Sequence, residues 1–372
     1  MTFLIITHVA HKPKDNLIYG YAPYIREMNL WLSYVDKVTL IAPLSEDAIH
    51  SLDAAYQHQK LKFIAVPAFD LTSFWNRLKM MFVIPVIFFN ILRAMHQADH
   101  IHLRCPGNMG LLGAIVQILF PNKPKTAKYA GNWDPKSKQP ISYRLQKWIL
   151  SNTFLTKNMQ VLIYGEWPNQ SKNIKSFFTA TYHESDKKTF IKRNFSETIK
   201  FLFVGTLSTG KRPIYALQLI KKLFDTGHKV SLDFYGEGVE RKSLETFIAD
   251  NNLNGILILN GNQTNATVQE AYQNSHFLVL PSKSEGWPKV VAEAMFWGCL
   301  PIASAVSCVP NMLDYGNRGI ILEMNLENDF QQIVTILKNE EAYQSKVKNA
   351  ADWSRKYTLD FFEAEIKLLL QS

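Results

Sequence analysis

What most constrains this chain is an alternation of short β-rich runs with helical stretches that stops midway and starts again. The first half reads "FLIIT", a helix through "YAPYIREMNLWLSY", "KVTLIAP", "LKFIAVP", a helix around residues 76–96, "DHIHLR", "GLLGAIVQILF", "KTAKYAG" and "ISYRLQKWILS". Such alternation favours a parallel sheet with helices on both faces. From "IKFLFVG" onward the pattern resumes with "IYALQLIKKLFD", "KVSLDFYG", "VERKSLETFIADN", "ILILNG", "HFLVLPS", "PKVVAEAMFWG" and "GIILE". Two doubly wound α/β sheets are therefore expected, and 372 residues suffice for two separate cores. Ligands of such sheets lie beyond the carboxyl ends of the strands, so the expectation is two Rossmann-like domains facing an interdomain cleft. The expected domains are 1–190 and 191–352, joined through the Lys-rich stretch 185–198. A terminal helix, 353–372, is expected to pack back on the N-terminal domain.

Formal net charge is +9, which suits anionic partners without choosing among them. No nucleic-acid recognition motif accompanies that charge. The three cysteines, Cys105, Cys299 and Cys308, have no CxxC or Cys/His metal spacing, so neither a disulfide framework nor a zinc site is indicated and a cytoplasmic setting is expected. The N-terminus lacks a basic n-region and reads as a first strand. The longest apolar run, "MMFVIPVIFFNIL", is too short to span a bilayer.

The turn "GTLSTGKRP" places Gly205, Gly210 and Lys211 at the G-x-x-x-x-G-K spacing of a phosphate-cradling loop. Arg212 stands where such a loop needs Ser or Thr for Mg²⁺, so an ATPase or GTPase reading fails at its metal position. No G-x-G-x-x-G follows the first strand and no D-x-D occurs anywhere; neither a dinucleotide cofactor nor a bound metal is expected.

The stretch "LPSKSEGWPKVVAEAMFWGCLP" is the most informative. Pro288 suits a first helical position and Gly298 a helix stop, so a helix is expected over 288–297. Its buried face carries one carboxylate, Glu293, which needs hydrogen-bond donors from a ligand or from a neighbouring loop. Glu285 lies in the preceding turn, about 10 Å away at 1.5 Å per residue.

"EGWPKVVAE" is the E-x7-E motif, and with its flanks it resembles retaining glycosyltransferases of family 4, which share the GT-B fold. The similarity runs through "FLFVGTLSTGK", "DFYGEGVER", "LILNG" and "GNRGIIL", and is weaker in the first half. It implies a hexosyltransferase-type enzyme using a nucleotide diphosphate sugar, UDP-sugar favoured, with a donor domain at 191–352 and an acceptor domain at 1–190. Lys211 would meet the diphosphate, Glu285 the sugar hydroxyls and Glu293 the ribose. Gly205, Thr206, Gly236, Glu237 and Gly261 would line the nucleotide pocket, and the backbone of Gly286, Trp287, Pro288 and Lys289 would face sugar and phosphate. The family usually has Arg at the position of Thr206; Arg212 is the candidate replacement. In the first half His8, Gly20, Arg104, Asn132 and Asp134 are the acceptor-side candidates, with Asp134 placed beside the reaction.

The implied setting is bacterial surface polysaccharide synthesis, with a saccharide or lipid-linked acceptor. The segment "SFWNRLKMMFVIPVIFFNILRAMHQ", with Trp75, Arg77, Lys79 and Arg93, supplies a candidate for peripheral contact with an anionic membrane, although a helix buried against the sheet fits its pattern better. Two alternatives to a transferase are a P-loop-like NTPase using Gly205 to Lys211 and a catalytically idle nucleotide-sugar-binding protein.

Overall fold

The computed structural model describes residues 1–371 except 51, 68–73 and 190–191, and the side chains of 74–81 also lie outside the description. The chain divides into two compact units, Met1–Phe177 with Glu363–Ser372, and Phe178–Phe362. The expected boundary at 190/191 thus falls inside the second unit.

The first unit begins β1 (Thr2–Ile6), β2 (His11–Lys14), β3 (Leu17–Tyr21), α1 (Ala22–Leu32), β4 (Lys37–Pro43), β5 (Asp53–Ala55) and β6 (Leu61–Val66). It continues with α2 (Phe74–Gln97), β7 (His100–Cys105), α3 (Asn108–Val116), β8 (Lys125–Tyr129), α4 (Ile141–Ser151), β9 (Met159–Tyr164) and β10 (Ile174–Phe177). Seven strands form a parallel sheet in the order β10-β9-β8-β7-β1-β4-β6. β9 and the edge strand β10 extend it beyond the strands expected from the sequence.

The segment after β1 carries strands of its own: β2 and β3 form a hairpin closed by Asp15 and Asn16, both at positive φ, and β5 adds a third antiparallel strand. A two-residue turn with both residues left-handed matches the twist of paired strands, and Asp and Asn tolerate it. Gly20 sits within this hairpin, where an added Cβ would lie 3.1 Å from Ile25 and 3.3 Å from His11.

The second unit contains β11 (Ile199–Val204), α5 (Pro213–Asp225), β12 (Val230–Tyr235), α6 (Arg241–Asp250), β13 (Leu257–Leu259), α7 (Asn265–Asn274) and β14 (Phe277–Leu280). It then adds α8 (Lys289–Phe296), β15 (Leu300–Ser304), α9 (Val309–Met312), β16 (Ile320–Leu322), α10 (Leu326–Leu337) and α11 (Glu340–Ser354). Its parallel sheet runs β13-β12-β11-β14-β15-β16. The strands β14 and β15 are buried throughout, as expected for parallel strands covered on both faces. Pro288 is the N-cap of α8 with ψ 90°, so the helix starts one residue later than its sequence suggests.

A last helix, α12 (Leu359–Gln371), ends the chain, and its Glu363 and Glu365 pair with Tyr34 and Lys175 inside the first unit. Among the described residues no helix is long and apolar enough to cross a membrane. Of the segment 73–97, Trp75, Arg77 and Lys79 lie outside the described side chains, whereas Arg93 is exposed.

Candidate functional site

In the second sheet the chain leaves β11 toward β12 on one side and later fills β14 on the other, so the strand order reverses between β11 and β14. A crevice opens at the carboxyl end of such a switch point because the two following connections diverge. The loops after β11, β12, β13 and β14 carry the donor-side candidates, and the fold brings them together.

The β11, β12 and β13 ends are laced by backbone bonds. The N–H of Gly205 donates to Tyr235 O at 2.9 Å, that of Leu207 to Glu237 O at 2.9 Å, and that of Gly236 to Gly261 O at 2.8 Å. Gly236 has φ +150°, and a Cβ there would meet Gly205 O at 2.0 Å, so only glycine permits this approach. Thr206 is exposed on the same loop. Glu237 directs its carboxylate to Arg241 at 2.5 Å.

The loop 205–212 then turns back toward β14. Lys283, just beyond β14, donates its N–H to Gly210 O at 2.8 Å. Lys211 Nζ reaches Glu285 Oε1 at 2.5 Å, forming an ion pair whose carboxylate side is only 9% exposed. Arg212 is left-handed at φ +52° and caps α5, with Pro213 next. Arg212, Lys283 and Lys289 have no carboxylate within ion-pair distance among the described residues. Three uncompensated cations beside one compensated pair favour an anion at this edge of the sheet.

The turn bearing Glu285 is itself held. Gly286 O accepts hydrogen bonds from Ser307 Oγ at 3.1 Å and from Cys308 Sγ at 3.2 Å. Trp287 stacks on Trp353 with centroids 6.1 Å apart, so its ring is part of the packing. Glu293, one helix turn and more along α8, accepts from Thr181 Oγ1 at 2.8 Å and from Tyr272 Oη at 3.1 Å. Both carboxylate oxygens thus have protein donors, and each retains a lone pair for a further one. Burial, and then the Glu293 charge, push the Tyr272 phenol well above its usual range and keep it a donor.

Lys283, Thr181, Tyr272, Ser307 and Cys308 were not read as site residues from the sequence. Only Lys283, adjacent to the E-x7-E stretch, had a local signal; the others reach the site through tertiary contacts.

The first sheet has its own switch point between β1 and β7. His8 follows β1 and packs on Gly107, where an added Cβ would lie 2.9 Å from His8 Nδ1. Desolvation, and then the charge of Arg104, hold the His8 imidazole below its ordinary range. Arg104 reaches Glu27 Oε1 at 3.4 Å while Lys128 Nζ reaches Glu27 Oε2 at 2.8 Å, so Arg104 is tied into a largely buried triad. After β8, Asn132 Oδ1 accepts from Asp134 N at 2.8 Å and Asp134 Oδ1 accepts from Lys136 N at 2.8 Å. Trp133 between them is buried, with its Nε1 donating to Gln170 at 2.9 Å. His8, Arg104 and the Asn132–Asp134 turn therefore occupy neighbouring strand ends, whereas Gly20 is in the separate hairpin sheet. Among the described residues no group of three His, Cys, Asp or Glu side chains could hold a metal ion.

Comparison with known proteins places these features. Residues 184–353 match the family model described as Glycosyl transferases group 1. An uncharacterized glycosyltransferase of Methanocaldococcus jannaschii is 30% identical over 158 residues, 42% of this chain and 43% of that protein. The poly(glycerol-phosphate) alpha-glucosyltransferase of Bacillus subtilis is 24% identical over 165 residues, 44% of this chain and 24% of that one. The match therefore spans less than half the length of either curated relative. Among solved structures, Anabaena HepE in complex with UDP and glucose superposes with TM-score 0.69 at 14% identity, covering 100% of this chain and 99% of that one. The lipopolysaccharide outer core galactosyltransferase WaaB gives TM-score 0.69 at 15% identity over 100% and 99%. The chain thus has the GT-B fold, and its residues 184–353 match the glycosyl transferases group 1 model.

Proposed function

We propose that this protein is a retaining glycosyltransferase of the E-x7-E type, family 4, that moves a sugar from a nucleotide diphosphate sugar, UDP-sugar favoured, to a saccharide or lipid-linked acceptor in bacterial surface polysaccharide synthesis. The observation that carries the reading is the Lys211–Glu285 pair at the switch point of the second sheet, flanked by the unpaired cations Arg212, Lys283 and Lys289. Solved structures of the same fold include one bound to UDP-glucose and a TarM mutant with UDP and α-GlcNAc-glycerol, which supports a nucleotide-sugar donor.

In this reading donor binding divides the ion pair. Lys211 turns to the diphosphate, and Glu285 accepts hydrogen bonds from sugar hydroxyls. As the glycosidic bond breaks, negative charge grows on the departing phosphate, where Lys211, Arg212 and the N-terminus of α8 stabilise it selectively. The departing phosphate helps to take the acceptor's proton, so no dedicated protein base is invoked. Fixed cations supply the charge a metal would, and the proposed reaction uses neither metal nor cofactor. Gly205, Thr206, Gly236, Glu237 and Gly261 line the nucleotide side, Gly286 to Lys289 the phosphate side, and Glu293 the ribose. Asp134, with Asn132, His8 and Arg104, is proposed for the acceptor side. The proposed location is the cytoplasm, with peripheral contact at the inner membrane face.

The test is thermal denaturation of wild type and Lys211→Ala with UDP, GDP, ADP and ATP, in EDTA and then in Mg²⁺. A ligand at about a hundredfold over its dissociation constant adds roughly 2.7 kcal/mol, enough to detect. Stabilisation by one nucleoside diphosphate in EDTA, weakened in the variant, is expected. Stabilisation by ATP alone and only with Mg²⁺ would overturn the reading in favour of an NTPase.

A further inference from the structure

The helices α2, α3 and α4 connect β6 to β7, β7 to β8 and β8 to β9, all crossing the first sheet in one direction. Right-handed crossovers running one way cover one face, and these helices do pack side by side, α2 on α3 and α3 on α4. The outer surface of such a layer is ordinarily polar. Here it is not.

In α4, Gln146, Ile149 and Leu150 face the core, while Ile141, Leu145 and Trp148 are 75%, 42% and 59% exposed. Their spacing of i, i+4 and i+7 sets them in one stripe along the helix. Phe154, three residues beyond the end of α4, is 76% exposed, and Leu119, in the short 3-10 turn after α3, is 61% exposed. On α2, Phe82 and Phe89 are 78% and 64% exposed, again seven residues apart. Large apolar side chains exposed in one stripe along a helix mark a surface that something else covers.

Charge indicates what covers it. Residues 74–165 carry twelve Lys or Arg and only two Asp, an excess larger than the whole chain's net +9. Arg104 and Lys128 share Glu27 inside the unit, but Arg93 on α2, Arg144 on α4, and Lys136, Lys138 and Lys157 in the segments flanking α4 are exposed. Next to Leu119 and Phe154 in sequence, Pro121, Asn122, Thr153 and Lys157 line an open cavity of about 800 Å³ that Lys125 and Lys172 also line. An apolar stripe with a net excess of cations on and beside its helices matches an anionic phospholipid surface, whose acyl boundary takes the first and whose phosphates take the second.

We infer that the α2–α3–α4 face, centred on Ile141, Leu145 and Trp148, is the surface through which this protein docks on an anionic lipid bilayer. The assignment deepens the peripheral-contact part of the reading above and rests on it; it does not depend on which sugar is transferred.

The experiment is flotation of the purified chain, without donor, on vesicles of phosphatidylcholine alone or mixed with phosphatidylglycerol, at low and high salt. Wild type is expected to float with the mixed vesicles, about tenfold more weakly on pure phosphatidylcholine and at high salt. A variant with Ile141→Ser, Leu145→Ser and Trp148→Ser is expected to keep its Tm and to lose about tenfold in binding to mixed vesicles. Quenching of tryptophan emission by brominated lipid gives a second readout, expected to be stronger in wild type than in Trp148→Phe, which does not depend on the triple variant folding.

Wild type that fails to float at low salt would remove both the peripheral contact and this surface. Wild type that floats, with the triple variant equal to it or with Trp148→Phe quenched equally, would remove the surface and leave the contact. A concentration-dependent dimer that the triple substitution dissociates would overturn the assignment in favour of a self-interface.

Discussion

Lys211 and Glu285 are 74 residues apart in the chain and 2.5 Å apart in the fold, at the two loops that flank the switch point of the second sheet. In the ligand-free protein each neutralises the other, so the charges that a nucleotide sugar would use are held ready and mutually masked. In the proposed reading the pair competes with the donor, and its two members are expected to respond differently to substitution.

Glu285→Gln frees Lys211 from its partner. UDP alone is expected to bind several-fold more tightly, while transfer falls by about a hundredfold or more because the sugar loses its acceptor. Lys211→Ala is expected to weaken UDP and transfer together. Titration calorimetry with UDP beside initial rates separates the two cases, and weaker UDP binding by Glu285→Gln would contradict the competition.

Glu293 has a structural part as well as its proposed ribose contact. Glu293→Ala leaves the buried Tyr272 hydroxyl and Thr181 without their acceptor, which costs about 1–3 kcal/mol even without ligand. Adding Tyr272→Phe is expected to recover part of that stability but none of the UDP-induced shift. Denaturant unfolding measures the first and thermal shift the second; recovery of both would leave Glu293 a purely structural residue.

In the first unit, Glu27 is 8% exposed and holds both Arg104 and Lys128, the latter with a side chain 1% exposed. Glu27→Gln strands two cations in the interior and is expected to cost about 3–5 kcal/mol. Glu27→Leu combined with Lys128→Met is expected to be milder. Urea unfolding of the two variants decides it, and a loss below that of a surface substitution would mean that the triad is hydrated.

Three buried histidines make stability depend on acid. Burial lowers His11 and His100 from 6.5 to about 4 and His102 to about 3. Below 6.5 the unfolded chain binds these protons and the folded chain does not, so folding weakens as pH falls, by about 1.4 kcal/mol per pH unit for each group. The loss begins near 6.5 and continues until the folded groups titrate between about 4 and 3. His100 Nε2 and His102 Nδ1 share the Thr126 hydroxyl at 3.0 and 2.9 Å, so His102→Leu leaves Thr126 paired with His100. That variant is expected to show a shallower decline of unfolding free energy with pH; an unchanged slope would mean that His102 is protonated when folded.

Much of the fold was legible because its signals are local. The buried strand in "HFLVLPS" is a continuous apolar run, and "IKFLFVG" is one apart from the exposed Lys200, as expected of parallel strands covered on both faces. The E-x7-E stretch was legible for the same reason, since both glutamates and the start of α8 lie within nine residues. The β2–β3 hairpin was missed because "HKPK" is charged and contains Pro13, although Asp15 and Asn16 carried its turn signal. β9 and β10 went unread although "MQVLIY" has the composition of a strand.

By itself the sequence determined two doubly wound sheets, the glycines that let strand ends approach, and the identity of the charged groups at those ends. Only the tertiary structure decided which charges meet: Lys211 with Glu285, Arg104 and Lys128 with Glu27, Glu293 with Thr181 and Tyr272. It also decided that Ile141, Leu145 and Trp148 face outward. Periodicity follows from the geometry of a single helix or strand, whereas partnership and exposure depend on which elements the crossovers bring side by side, a long-range property that no local window contains.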